Sequence, residues 1–310
     1  MIKKDSNNHD NGTIIFIHRG NQFYLKPALA QARVSNPLVR IVLLGDNSNS
    51  DLGASFCKKY KIDHFLIDNY FQSAKKFGQI YQHQGKNPYQ YELFCFQRWF
   101  VMLDFVKEHC PKGNFVYLDT DVIIYINIFD VFKVIKSEMT VCNRVGPQYS
   151  FFKSVDALES YCEFINYSYK NSIGFDKLKS FVSDYNNSGM PHISDMTTIG
   201  VYASENDLDD LGDCNRTDFF FDEIISYPQC MKKGVFGKKI IKKYGINYFQ
   251  KSNGQLIKAA GCHLQGSSKA LWPLYCDRSL LLSLLNVESI YFFIRYSLRI
   301  SIDYIRRLRK

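Results

Sequence analysis

Two short constellations in this 310-residue chain bring together residue types that can do chemistry jointly. The first is Asp119-Thr120-Asp121, set in the run F-V-Y-L-D-T-D-V-I-I. Two carboxylates one residue apart at a strand exit face one space if the chain turns at Thr120. That arrangement suits a hard divalent cation that also holds phosphate oxygens. Without a cation the two charges repel and one keeps its proton. The second constellation, His263-x-x-Gly266-x-x-Lys269, is followed by Trp272. Its imidazole can add a nitrogen ligand to a cation such as manganese. The glycine lets backbone approach a pyrophosphate closely, and the lysine can neutralise a leaving phosphate. Each segment alone also reads as a strand-end turn or a surface loop. Their presence in one chain defines a candidate metal and diphosphate site.

The surrounding elements must bring these segments together. Thr13–His18 (TIIFIH), Val39–Leu44 (VRIVLL), His64–Ile67 and Asn114–Leu118 (NFVYL) read as buried strands, and Tyr24–Val34 and Tyr91–His109 as helices. Such alternation predicts an α/β sheet with helices on its faces. In open α/β sheets ligands bind beyond the carboxyl ends of the strands, where Asp119 and Asp121 fall. His18 and Asp46 close the first two strands in the same way. A strand-end aspartate can accept a ribose or base hydrogen bond, and Tyr24 can stack on a base. Each position reads first as a turn residue and second as a contact. From about 151 to 222 the chain is aromatic and acidic, and reads as helices and loops inserted beside the sheet. No linker, low-complexity tract or internal repeat is visible, so one domain with an appended tail is expected.

The net charge of +9 is unevenly spread. Residues 1–223 hold 23 basic and 27 acidic side chains, whereas 224–310 hold 16 and 3. The lysine pairs 232–233, 238–239 and 242–243 read as a solvated edge or as an anion-binding surface. Nucleic acid is not an expected partner, because zinc-finger spacing, a basic zipper and an RNP-type aromatic box are all missing from the sequence. The tail from Ser279 to Lys310 is amphipathic on a helical period. Arg295, Arg299, Asp303, Arg306 and Lys310 share one stripe, and Leu298, Ile302, Ile305 and Leu308 another. Glu288 and Arg295 interrupt its apolar run before the roughly 18 residues that a spanning helix needs. Such a helix lies in an anionic bilayer surface or docks on its own core with a basic face outward.

The nine cysteines are odd in number and scattered, with no C-x-x-C pair. Neither a disulfide framework nor a structural zinc site is expected. The opening MIKKDSNNHDNG lacks the apolar core of a secretory signal. The expected location is the reducing cytoplasm, peripheral on the inner face of the membrane.

Three islands carry a family likeness: Tyr117-Leu-Asp119-Thr-Asp121 after its strand, Phe94-Cys-Phe-Gln-Arg98-Trp99 on the long preceding helix, and the late H-x-x-G-x-x-K. Together they resemble the GT-A-fold, metal-dependent glycosyltransferases, and are similar to glycosyltransferase family 8 and related bacterial polysaccharide and lipopolysaccharide glycosyltransferases. The resemblance implies a GT-A-type, Rossmann-like mixed sheet flanked by helices, with the basic amphipathic helix at the C-terminus. It implies a domain over 1–276, comprising a nucleotide-sugar half at about 13–145, an acceptor-side insert at about 146–230 and a metal and diphosphate clamp at about 255–273. A membrane-associating tail occupies 277–310. The implied donor is a nucleotide sugar, UDP-linked, held through Mn²⁺ (or Mg²⁺) by Asp119, Asp121 and His263. Gly266 and Lys269 would meet the diphosphate, Arg98 would lie near the donor, and His18 and Asp46 near the nucleoside. Ala270 departs from the family's frequent proline. Asp195 matches an acidic position at the donor sugar or acceptor, although Met196 stands where the family commonly has glutamine. The acceptor would be a glycan or lipid-linked hydroxyl, and the anomeric configuration would be retained.

An inverting enzyme needs a carboxylate to deprotonate the acceptor, for which Asp195, Asp218 and Asp222 qualify. Tyr185, Tyr202, Phe219 and Phe220 read as sugar-stacking surfaces or as core. The rival enzyme class is a haloacid-dehalogenase-like phosphatase with Asp119 as nucleophile. That motif opens its fold on the first strand, whereas here 118 residues precede it, and Ile123 stands where Thr or Val is expected. A catalytically inactive nucleotide-binding or membrane-scaffold protein is the non-enzymatic alternative.

Overall fold

Apolar runs buried on both faces form the centre of the molecule. A computed structural model of the chain describes residues 12–52, 54–185, 192–285 and 287–308, leaving out the side chains of 50, 51, 185 and 299–308. The chain begins β1 (Thr13–His18), α1 (Leu25–Ser35), β2 (Arg40–Gly45), α2 (Ala54–Tyr60), β3 (Ile62–Leu66), α3 (Gln72–Gly78), α4 (Tyr89–His109) and β4 (Phe115–Leu118). It continues through β5 (Val122–Ile124), α5 (Ile128–Phe132), β6 (Thr140–Val141), β7 (Tyr149–Phe152), α6 (Val155–Lys170), α7 (Ser172–Tyr185) and α8 (Asp195–Asn206). The remainder is β8 (Asp209–Asp210), β9 (Phe219–Phe221), β10 (Ile240–Lys243), β11 (Ile246–Gln250), β12 (Leu256–His263), α9 (Trp272–Tyr275), α10 (Arg278–Leu284) and α11 (Val287–Leu308).

The first sheet has the order β3-β2-β1-β4-β7, parallel except for β7. Ile14, Ile15 and Phe16 expose no surface, as a central parallel strand covered by helices on both sides requires. The mixed sheet with flanking helices matches the expected class. The third strand starts two residues before the predicted His64 and ends at Leu66. The long helix starts at Tyr89 rather than Tyr91, because Pro88 supplies the bend that opens it. On α4, Phe96, Trp99, Phe100 and Leu103 face inward. Trp99 packs edge-on against Tyr117 and Tyr161 at 5.1 and 5.4 Å between ring centroids, which fixes α4 beneath β4.

A second sheet was not anticipated. It orders β10-β11-β12-β5, with β9 paired to β12 in parallel. The chain passes from the first sheet to the second between β4 and β5, and only Asp119, Thr120 and Asp121 make that crossing. The lysine pairs lie on and before the β10–β11 hairpin. Lys232, Lys233, Lys239, Lys242 and Lys243 are exposed there, but Lys238 is buried. Tyr202 packs on Tyr161 and Phe164, and Phe219 and Phe220 are buried. These aromatics are core and not sugar-facing surfaces, whereas the Tyr185 side chain lies outside the described residues.

One cysteine expectation is corrected: Cys214 and Cys230 form a disulfide, with Cα atoms 6.0 Å apart. The pair is made by tertiary approach. Lys251 Nζ donates to the Cys214 carbonyl at 2.9 Å and Ser252 N–H to the Cys230 carbonyl at 2.9 Å, so one turn gathers both segments. Nothing in linear spacing signals such a pair.

The tail helix docks by one face and leaves the other in solvent. Phe292 stacks on Phe23 at 4.7 Å, and the Tyr296 and Ser268 hydroxyls are 3.2 Å apart. Val287, Ile290, Tyr291, Ile294 and Leu298 are exposed. The stripes beyond Leu298 fall outside the described side chains. Among the described residues, no helix is long and apolar enough to cross a membrane.

Candidate metal and diphosphate site

β4 delivers Asp119 and Asp121 at its carboxyl end, and β12 ends at His263 beside them. The register Cys262↔Ile123 and His263↔Val122 sets the imidazole level with the turn. Leu264 N–H donates to the Asp121 carbonyl at 2.9 Å, which ties the two chain segments together. One ligand atom from each of Asp119, Asp121 and His263 lies within 4.8 Å of the others. His263 Nε2 is 3.2 Å from Asp121 Oδ1, and Lys269 Nζ is 3.2 Å from Asp121 Oδ2. The Glu223 carbonyl accepts from His263 Nδ1, which leaves Nε2 to face the carboxylates. Two carboxylates and one imidazole with a fixed tautomer fit a divalent cation.

Electrostatics show how the cluster manages its charge without one. Burial works to raise the Asp121 carboxyl, but His263 and Lys269 outweigh it and hold the group below the usual carboxylate range. Burial lowers the His263 imidazole, yet Asp121 pushes it up to about 9. Burial likewise opposes the charged Lys269 amine, and Asp121 more than compensates.

Arg98, on the α4 face turned toward β4, supplies the second cationic anchor. Its Nη1 donates to Asp119 Oδ1 at 2.8 Å and to the Tyr117 hydroxyl at 2.7 Å, and its Nη2 donates to Asp195. The Tyr117 hydroxyl also donates to Asp119. Asp195 opens α8, where a carboxylate complements the helix dipole, and Ser194 N–H donates to Thr197 Oγ1 at 3.1 Å. Burial raises the Asp195 carboxyl, and Arg98 only partly offsets that.

Gly266 opens the short 3₁₀ turn that carries Lys269, with φ +60. Lys269 Nζ also stands 4.5 Å from the centroid of the Tyr24 ring and 3.4 Å from its hydroxyl. Tyr24 therefore packs on the clamp lysine. His18 joins the cluster through Thr120, whose Oγ1 is 3.0 Å from His18 Nδ1, and burial lowers the His18 imidazole. Asp46 stands one layer back. Its Oδ2 accepts from Gly20 N–H at 3.0 Å and its Oδ1 from Ser48 N–H at 3.0 Å, so it shapes the loop after β1.

Two candidate bases are engaged by cations of their own. Asp222 is fully buried behind His263 and paired with Lys238. Asp218 pairs with Arg216 at the far end of β9. Sequence reasoning missed Tyr117, Lys238 and the Glu223 carbonyl. Tyr117 stands on β4 two residues before Asp119, so continuing the strand's alternation past Leu118 places the two on the same side. No linear signal marks the other two.

No family model matches the sequence, and no curated protein is significantly similar to it. Solved structures that overlap it include mouse xyloside xylosyltransferase 1 in its apo form, at 11% identity and TM-score 0.44 over 64% of this chain and 83% of that one. The glycosyltransferase GlyE of Streptococcus pneumoniae TIGR4 overlaps at 14% identity and TM-score 0.38, over 64% of this chain and 44% of its own. An active-site mutant of LgtC overlaps at 12% identity and TM-score 0.35, over 61% and 70%. Overlaps this loose fix neither family nor activity.

Proposed function

We propose that this chain is a metal-dependent glycosyltransferase of GT-A type that moves a sugar from a nucleotide donor, UDP-linked, to an acceptor hydroxyl. The observation that carries the reading is the convergence of Asp119, Asp121 and His263 ligand atoms within 4.8 Å, with Lys269 standing on Asp121. Asp119, Asp121 and His263 would hold Mn²⁺ or Mg²⁺, which when bound supplies charge stabilisation for a departing diphosphate. Lys269 adds a fixed positive charge on the same side, and the Gly266 turn presents backbone to the phosphates. Arg98 holds Asp119 and Asp195 in place, and Asp195 is the carboxylate offered to the donor sugar or acceptor.

Retention of configuration is the favoured stereochemistry, since Asp222, Asp218 and Asp195 are bound by Lys238, Arg216 and Arg98. The exposed apolar row on α11, beside Arg295, supports a tail that rests on an anionic membrane surface. The same proposal places the chain on the cytoplasmic face, with a glycan or lipid-linked acceptor.

The test is release of UDP from a panel of UDP-sugars with and without Mn²⁺, comparing wild type with Asp121→Asn. Metal-dependent release that the substitution abolishes supports the assignment. Hydrolysis of p-nitrophenyl phosphate without any UDP release or metal-dependent UDP binding would instead favour the phosphatase reading.

A further inference from the structure

We propose that Lys238, from the lysine-rich segment before β10, is a positioning residue for the metal ligand His263. The proposal rests on the metal reading of the site. Asp222 and Lys238 pair with side chains that are both 0% exposed, directly behind the end of β12. A buried ion pair is weak evidence of net stabilisation, because desolvating two charges offsets much of their attraction. Its connections show what this one does.

His263 is held at three points by residues 222–225. Its N–H donates to Asp222 Oδ2 at 3.2 Å, its carbonyl accepts from Ile225 N–H at 3.1 Å, and its Nδ1 donates to the Glu223 carbonyl. Lys238 in turn fixes that strip at three points. Its amine donates to Asp222 Oδ1 and, at 2.7 Å, to the Ile224 carbonyl, while its own N–H donates to the Ile225 carbonyl at 2.8 Å. Gly237 permits the approach: a Cβ there would lie 2.5 Å from the Ile225 oxygen. Beside the β5 register and the contact with Asp121, three constraints on His263, including the bond to its Nδ1, therefore run through a strip that Lys238 anchors. Groups one shell behind a ligand set metal affinity by fixing the ligand's tautomer and direction.

The test is a Mn²⁺ titration of the full chain without donor, following free Mn²⁺ by electron paramagnetic resonance. Lys238→Met is expected to weaken Mn²⁺ binding by about 10-fold or more. Because that variant leaves Asp222 buried and unpaired, Asp222→Asn with Lys238→Met is measured beside it. The double variant is expected to regain much of the thermal stability while Mn²⁺ binding stays weak. Ile165→Ala, buried in α6 and remote from the strip, serves as the destabilised control and is expected to bind Mn²⁺ as wild type does. Wild-type Mn²⁺ affinity in either folded Lys238 variant overturns the proposal and leaves the metal site standing. A wild-type chain that binds no Mn²⁺ overturns the metal reading and this inference together.

Discussion

Arg98 donates from Nη1 to Asp119 Oδ1 at 2.8 Å, and the same guanidinium reaches Asp195 with its other nitrogen. One planar fork thus sets the spacing between a carboxylate of the inter-sheet turn and a carboxylate of α8. A lysine has the charge but not the fork. Arg98→Met should lower stability by about 3 kcal/mol, since it strands two carboxylates that were paired. Arg98→Lys should keep more of the stability and still lose most activity. Denaturant titration and kcat/KM on the two variants check this; equal activity for Lys and Arg would show that charge alone matters.

The pH response of the metal-free chain follows from His263. Its folded pKa, raised by Asp121 to about 9, exceeds the ordinary 6.5, so the folded state binds the extra proton. That contribution is fully present below pH 6.5 and is lost as pH rises through about 9. In chelator, the melting temperature should therefore fall across that window. Asp121→Asn should flatten the fall, and so should saturating Mn²⁺, which displaces the imidazole proton. Melting curves at stepped pH decide it.

Gly266 separates steric from conformational cost. An added Cβ meets no heavy atom within 4 Å, yet φ is +60. Gly266→Ala should cost about 1 kcal/mol from the left-handed backbone alone. Asn tolerates that region better, so Gly266→Asn should cost less. If the turn aims Lys269 at the diphosphate, the alanine variant should raise donor KM several-fold with little change in melting temperature.

The tail prediction uses its outward face. Ile290 and Ile294 are 46% and 52% exposed, so Ile290→Glu with Ile294→Glu should leave stability within about 0.5 kcal/mol. Recovery with floated anionic vesicles should drop sharply. Deletion from Ser279 is a poorer probe, because it also removes the buried Leu280 and the Phe292 stack on Phe23. Undiminished recovery of the double variant would assign α11 to its own core alone.

The strands of the first sheet were legible because Ile14–Ile17 and Ile41–Leu44 are apolar without interruption, and the candidate cluster of Asp119, Asp121 and His263 because its residue types are chemically unusual at strand ends. Asp195 pairs with Arg98 although 97 residues separate them, a meeting that no linear spacing signals. What escaped the sequence was made by tertiary approach. Lys238 reads as one of a solvated pair until the fold encloses it, and Asp222 reads as a candidate base until the same enclosure removes it. The second sheet was hidden because β5 and β9 are three residues each, too short to show a period.

Asp119, Thr120 and Asp121 are the direct link from β4 of the first sheet to β5 of the second, whereas His263 belongs to the second sheet alone. Asp121 and His263 are held together by the pairing of β5 with β12, so the distance from Asp119 to those two is a gauge of how the sheets sit against each other. Sliding one sheet against the other would change that distance, since close-packed interiors are barely compressible and transmit strain. A cation seated there would act as a rivet across the seam, slowing any unfolding route that begins by parting the layers.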